Sequence, residues 1–238
     1  MWSPASSSPK LSERLGQSVV IDNRGGANRI IGTEMAAKSP ADGYTILLGA
    51  TALANNPSLY KLPFDVAKDF APITQTVESH FLAVVQQSSP ATTIAGLIAL
   101  AISRPGQISY GSPGEGSVAH LAGELLKNLT GIKLVHVPYK GSPQALTDLM
   151  GGQIELTFDV IATSLPLVKA GKLRALAVTG AKRSTILPDM PTVAETVPGF
   201  NLVGWQGIFA PAGRRARSSG SSIAKSSQSS ICRISTSV

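Results

Sequence analysis

From residue 88 onward the chain alternates between short apolar runs and stretches of helical period, and no other feature limits its fold so strongly. Apolar spacings of three and four predict helices over 94–102, 117–130 and 144–150. The runs between them, 107–110, 133–137 and 155–158, have the length and character of buried strands. Segments 164–170, 174–178 and 192–196 extend the pattern. Strands spaced by helices pair in parallel through right-handed crossovers, so the expectation is an α/β protein with a parallel sheet. The same order appears earlier, with a strand over 19–21, a helix over 30–38 and an apolar strand over 44–49. Residues 70–85 read as one long extended segment ending in FLAVV, long enough to cross between lobes, and a return strand is expected over 205–210.

Within that frame the stretch YGSPGEGSVAHLAGELL, 110–126, carries the clearest chemistry. A strand ends at Tyr110, Gly111, Gly114 and Gly116 supply backbone freedom, and Ser117 stands at the N-cap of a helix whose apolar face holds Leu121, Leu125 and Leu126. Amides at a helix N-terminus, with the positive end of the helix dipole, hold an anion. Ser112, Gly114, Gly116 and Ser117 are therefore candidates for gripping a carboxylate or phosphate. An ordinary capped strand-to-helix connection accounts for the same residues.

Other candidates follow from where ligands sit in open α/β sheets, outside the carboxyl ends of the strands. Thr51 and Asn55 follow the strand at 44–49, where the competing reading is a capped helix and a turn. The runs PYKG (138–141) and FDV (158–160) follow later strands, which makes Tyr139 a candidate pocket wall and Asp159 a candidate partner for an amino group or water. Packing against Pro138 and capping of the next helix are the alternatives. The NRGG run at 23–26 reads as a turn.

Composition narrows the function classes. The net charge of +7 comes largely from residues 214–238, which hold Arg214, Arg215, Arg217, Lys225 and Arg233 and no acid; without them the balance is 16 basic to 14 acidic residues. No basic stripe with interleaved aromatics runs through the body, so nucleic acid is not an expected partner. The single cysteine, Cys232, excludes a disulfide framework. His80, His120 and His136 lack metal-ligand spacing and read as packing or hydrogen-bonding residues, so neither a metal nor a cofactor is expected. GSPGEG is neither GxGxxG nor a Walker A loop, no GxSxG is present, and Ser117 and His120 share a helix face without an orienting acid, so no catalytic residues are expected. No apolar run reaches the eighteen or so residues of a membrane span, and MWSPASSSPK does not have the form of a secretory signal.

The runs DNRGGANRIIGTEMAAKSPADGYTILLG, ISYGSPGEGSVAHLAGELLKNLTGIKLVHVPYKGSPQALTDLMGGQIELTFD and AGKLRALAVTGAKRSTILPDMPTVAETVPGF together resemble the Bug receptors, the TctC-like solute-binding proteins of tripartite tricarboxylate transporters. The likeness extends over about 9–213. It implies a periplasmic-binding-protein fold of two α/β lobes around a ligand cleft, with lobe one formed by 1–87 and 204–213 and lobe two by 88–203. It also implies a di- or tricarboxylate or acidic amino acid as ligand, no metal or cofactor, membrane transporter subunits as partners, and a periplasmic location. A different class, an anion-using enzyme such as a transferase with the 112–117 loop on a phosphate, remains the rival.

Both ends depart from the resemblance. MWSPASSS stands where such receptors carry an export signal, a first strand and a Pro/Gly-rich loop, and ten serines among the last 25 residues replace an amphipathic helical region. The expectation is an incomplete first lobe with unpaired strands at 19–21 and 44–49, a disordered tail over 214–238, retention in the cytoplasm, and weak or absent binding.

Overall fold

The computed structural model describes residues 4–24, 26–213 and 232–236, with side chains over 9–24 and 26–213. The chain divides into two compact units, Met1–Glu78 with Trp205–Val238, and Ser79–Gly204.

In the first unit the elements are α1 (Pro4–Leu15), β1 (Val19–Asn23), α2 (Ile30–Ala37), β2 (Thr45–Ala50), α3 (Thr51–Leu59), α4 (Val66–Asp69) and β3 (Phe70–Ser79). In the second are β4 (Phe81–Gln86), α5 (Ile94–Ser103), β5 (Ile108–Ser112), α6 (Val118–Thr130), β6 (Leu134–Pro138), α7 (Ser142–Met150), β7 (Leu156–Val160), α8 (Ile161–Lys169) and β8 (Leu173–Val178). β9 (Gly204–Pro211) and β10 (Cys232–Thr236) return to the first sheet.

The first sheet has the order β1-β10-β2-β9-β3. β10 lies parallel to both neighbours, with Ile234 opposite Ile21 on one side and Ile46 on the other, while β9 runs antiparallel to β2. Two expectations are corrected here. Cys232–Thr236 form a strand instead of disordered tail, and β1 and β2 do not lie with unpaired edges toward each other, because β10 occupies the place between them. The physical reason is that ladder bonds need only backbone N–H and C=O groups, which these residues supply, and Ile234 and Thr236 are β-branched residues that favour extended backbone. The rest of the proposed tail, 214–231 with 237 and 238, lies outside the described residues. Leu47, Leu53 and Phe70 form this unit's core, flanked by Trp205 and Phe209.

The second sheet has the order β6-β5-β7-β4-β8. β5 pairs in parallel with β6 and β7, as expected, whereas β4 runs antiparallel to β7 and β8, with a register shift between Ala83 and Val84. The 70–85 segment is therefore two strands in two sheets, broken at His80. The unit boundary precedes β4, ahead of the expected 87/88, because β4 pairs with β7 and β8 of the second unit. β4, with Leu82, Ala83, Val84 and Val85 all at 0% exposure, has both faces covered, which a central strand requires. One face packs Tyr110, Leu126, Phe158 and Phe200, the other Leu146, Leu149, Ile154 and Leu173.

Candidate functional site

The 112–117 turn sits at the carboxyl end of β5. Ser112 closes the strand and is fully buried. Its Oγ accepts from the Gly114 amide at 3.1 Å and stands at the same distance from the Gly114 carbonyl. Gly114 and Gly116 adopt φ +116° and +76°, backbone that side-chain-bearing residues rarely take, which is the reason for glycine at both. Ser117 caps α6: its Oγ accepts from the His120 amide at 3.2 Å and donates to the Gly114 carbonyl at 2.7 Å. By helix geometry the amides of Val118 and Ala119 have no carbonyl of their own helix to meet. The result is a small, internally bonded turn that directs a 13-residue helix N-terminus outward from the strand end.

Two histidines, which the sequence presents as isolated, meet beneath this turn. β5 and β6 pair with Tyr110 opposite His136, and α6 crosses that face. The His136 Nε2 lies 2.7 Å from Ser112 Oγ. His120, one turn into α6, accepts from the Gly116 amide through Nδ1 at 3.2 Å, and the two rings stand 4.4 Å apart between centroids. Burial first, and the neighbouring His120 second, hold the His136 ring below the ordinary imidazole range. Alongside, the Tyr110 hydroxyl donates to Glu124 Oε1 at 2.7 Å and Lys127 grips both Glu124 oxygens at 2.8 and 2.9 Å. Against the cost of its own burial, bonds from Lys127 and Tyr110 hold the Glu124 carboxyl below its usual range. Burial and the Glu124 contact raise the Tyr110 phenol. No sequence motif announced the pair, since the residues are sixteen apart and meet only because α6 packs over the face of β5 and β6 that carries His136.

The other candidates are placed as follows. The Tyr139 amide donates to the Ser112 carbonyl at 2.8 Å, which brings this residue beside the turn, and its hydroxyl donates to Asp148 at 2.8 Å. Burial and Asp148 push the phenol up to about 12. Tyr139, Pro143, Gln144, Thr147 and Asp148 line an open hollow of about 440 Å³. Asp159, near the end of β7, is 2% exposed. It accepts from Thr163 and Ser142 side chains, and burial pushes its carboxyl up. The structure thus gives Asp159 hydroxyl partners at the starts of α7 and α8, but neither helix has a side-chain N-cap bond.

In the first unit Thr51 begins α3, but its hydroxyl does not cap that helix. It accepts from the Trp205 amide at 2.9 Å and stands 3.4 Å from the Trp205 carbonyl, joining the helix start to β9. Asn55 is half-buried one turn on. Asn56, the next residue, is 3% exposed and exchanges hydrogen bonds with Asn28 at 2.8 and 3.0 Å. In the 23–26 turn Gly25 lies outside the described residues. The turn leads into three residues at positive φ, Ala27, Asn28 and Arg29.

Residues 6–218 match the family described as "Tripartite tricarboxylate transporter family receptor". Among curated relatives, a UPF0065 protein from the tcbD-tcbE intergenic region of Pseudomonas sp. (strain P51) is 39% identical over 209 residues, which is 87% of this chain and 62% of the relative. The chain therefore spans less than two thirds of that protein's length. Among solved structures, R. palustris Rpa4515 with adipate superposes with a TM-score of 0.85 at 40% identity, covering 92% of this chain and 74% of the other. The periplasmic binding protein BugD gives 0.81 at 34% identity over 90% of this chain and 73% of its own. The matching family is thus described as a receptor family, and BugD as a periplasmic binding protein.

Proposed function

Because this chain belongs to the tripartite tricarboxylate transporter receptor family, we propose that it captures a small dicarboxylate without converting it, gripping one carboxylate at the 112–117 turn. The observation that carries this reading is the turn itself: two glycines at positive φ between a buried strand end and a capped helix N-terminus, in a protein 40% identical to one whose structure holds adipate. Ser112, Gly114, Gly116 and Ser117 shape the turn. Tyr139 supplies an amphipathic wall beside it, and Asp159 braces the neighbouring helix starts. In the first unit Thr51 and Asn55, at the carboxyl end of β2, are proposed carboxylate contacts. Delivery to the membrane subunits of a tripartite transporter, and a periplasmic location, belong to the same proposal and rest on the family and on the likeness to BugD.

Thermal unfolding against a panel tests the reading. Adipate and related dicarboxylates at 100 times their dissociation constant are expected to stabilise the protein by about 2.7 kcal/mol. Nucleotides and sugar phosphates are expected to leave it unchanged. Stabilisation by phosphate esters alone would overturn the proposal in favour of a phosphate site.

A further inference from the structure

The His120–His136 pair is tied to both ends of the turn. His136 holds Ser112 Oγ at 2.7 Å and His120 holds the Gly116 amide at 3.2 Å, while the rings touch at 4.4 Å. The Ser112 hydroxyl joins His136 to the turn's interior. Ser112 has one proton and two lone pairs, and three groups claim them: the Gly114 amide, the Gly114 carbonyl and the His136 ring. With Nε2 unprotonated, the ring accepts the Ser112 proton. With the ring as imidazolium, Nε2 must donate, and the Ser112 proton turns to the Gly114 carbonyl. Likewise, His120 accepts the Gly116 amide only while Nδ1 carries no proton.

We propose that His136 and His120 are the positioning residues of the 112–117 turn, and that a proton taken up by the His136 ring rearranges the turn's hydrogen bonds and strengthens its hold on a carboxylate. The second half rests on the functional reading above; the first half stands on the geometry alone. The charged and titratable groups facing the pair are Tyr110 on β5, Glu115 in the turn, and Glu124 and Lys127 on α6. Burial and then the neighbouring His120 oppose charge on the His136 ring, so in the free protein it takes up its proton only below the ordinary imidazole range. An anion bound at the turn adds negative charge and draws that proton on. By linkage, affinity then rises as pH falls through the titration of the His136 ring.

The experiment follows the amide shifts of Gly114 and Gly116 and the His136 ring in the intact protein between about pH 5.5 and pH 8, with adipate calorimetry over the same range. The Gly114 amide is expected to titrate together with the His136 ring. Adipate affinity is expected to rise toward the acidic end, with about tenfold as the limit set by a one-unit rise of the His136 pKa on binding. H136Q, whose amide can still donate to Ser112, and S112A, which keeps both rings, are each expected to lose the Gly114 titration, and H136Q to flatten the affinity profile. A Gly114 amide indifferent to the ring in the unaltered protein overturns the proposal, whatever the variants do. So does an H136Q affinity profile as steep as that of the parent. Coupled amide titration with no adipate binding supports the positioning role and overturns the functional reading together with the affinity claim.

Discussion

Tyr110 lies so close over α6 that a Cβ on Gly123 would stand 2.3 Å from its ring. The ring is fixed by Glu124 at its hydroxyl and by surrounding core, so it has little room to retreat. Alanine exceeds glycine in helix propensity by about 1 kcal/mol, yet the overlap costs more. Gly123→Ala is expected to destabilise the protein by about 1–3 kcal/mol in denaturant unfolding, and a gain in stability would contradict this packing. A second residue-scale prediction concerns acid. Arg183, through a two-pronged contact, and then the Thr192 amide hold the Glu195 carboxyl down at about 2 from an ordinary 4.5. Since the folded value lies below the unfolded one, the stabilisation is present above about pH 4.5 and is lost as pH falls toward 2. Glu195→Gln is expected to flatten stability over that window; an acid limb of unchanged slope would remove the pair from any role there. At this scale the geometry of the Ser112 to Ser117 turn was readable from residue type, because glycines and an N-cap serine act locally. The Ser112–His136 contact was not, because it depends on which strand lies beside β5.

Among the elements, β10 departs furthest from what its residues suggest. A Ser- and Arg-rich segment offers little apolar surface, so hydropathy gave no reason to place Cys232–Thr236 inside a sheet. Backbone pairing on both sides supplies what hydropathy did not. Ile234→Pro removes a ladder donor at a position paired on both flanks, and is expected to destabilise the first unit by about 3 kcal/mol or more. Fluorescence of Trp205, which packs against that unit's core, would report the loss in equilibrium unfolding. Unchanged unfolding would show that the sheet does not depend on β10. The strands and helices of the second unit were legible because each carries its own apolar period. The antiparallel course of β4 was not, since an apolar run buried on both faces looks the same in either direction.

For the whole molecule, the two-unit α/β architecture and membership of a receptor family were both within reach of the sequence, through the strand and helix alternation and the combination of long motifs. The partition between units was less accessible, because residues 70–85 form one extended stretch and only sheet pairing shows that it changes sheets at His80. The central claim is that this receptor fold takes a carboxylate at the 112–117 turn. The most direct measurement is a titration of the isotope-labelled protein with adipate, read at the backbone amides. Saturable shifts are expected at Gly114, Gly116, Ser117 and Val118, with Gly131, at the opposite end of α6, unmoved. Saturable binding that leaves the turn amides in place would contradict the account, and so would turn shifts produced by phosphate esters and not by dicarboxylates.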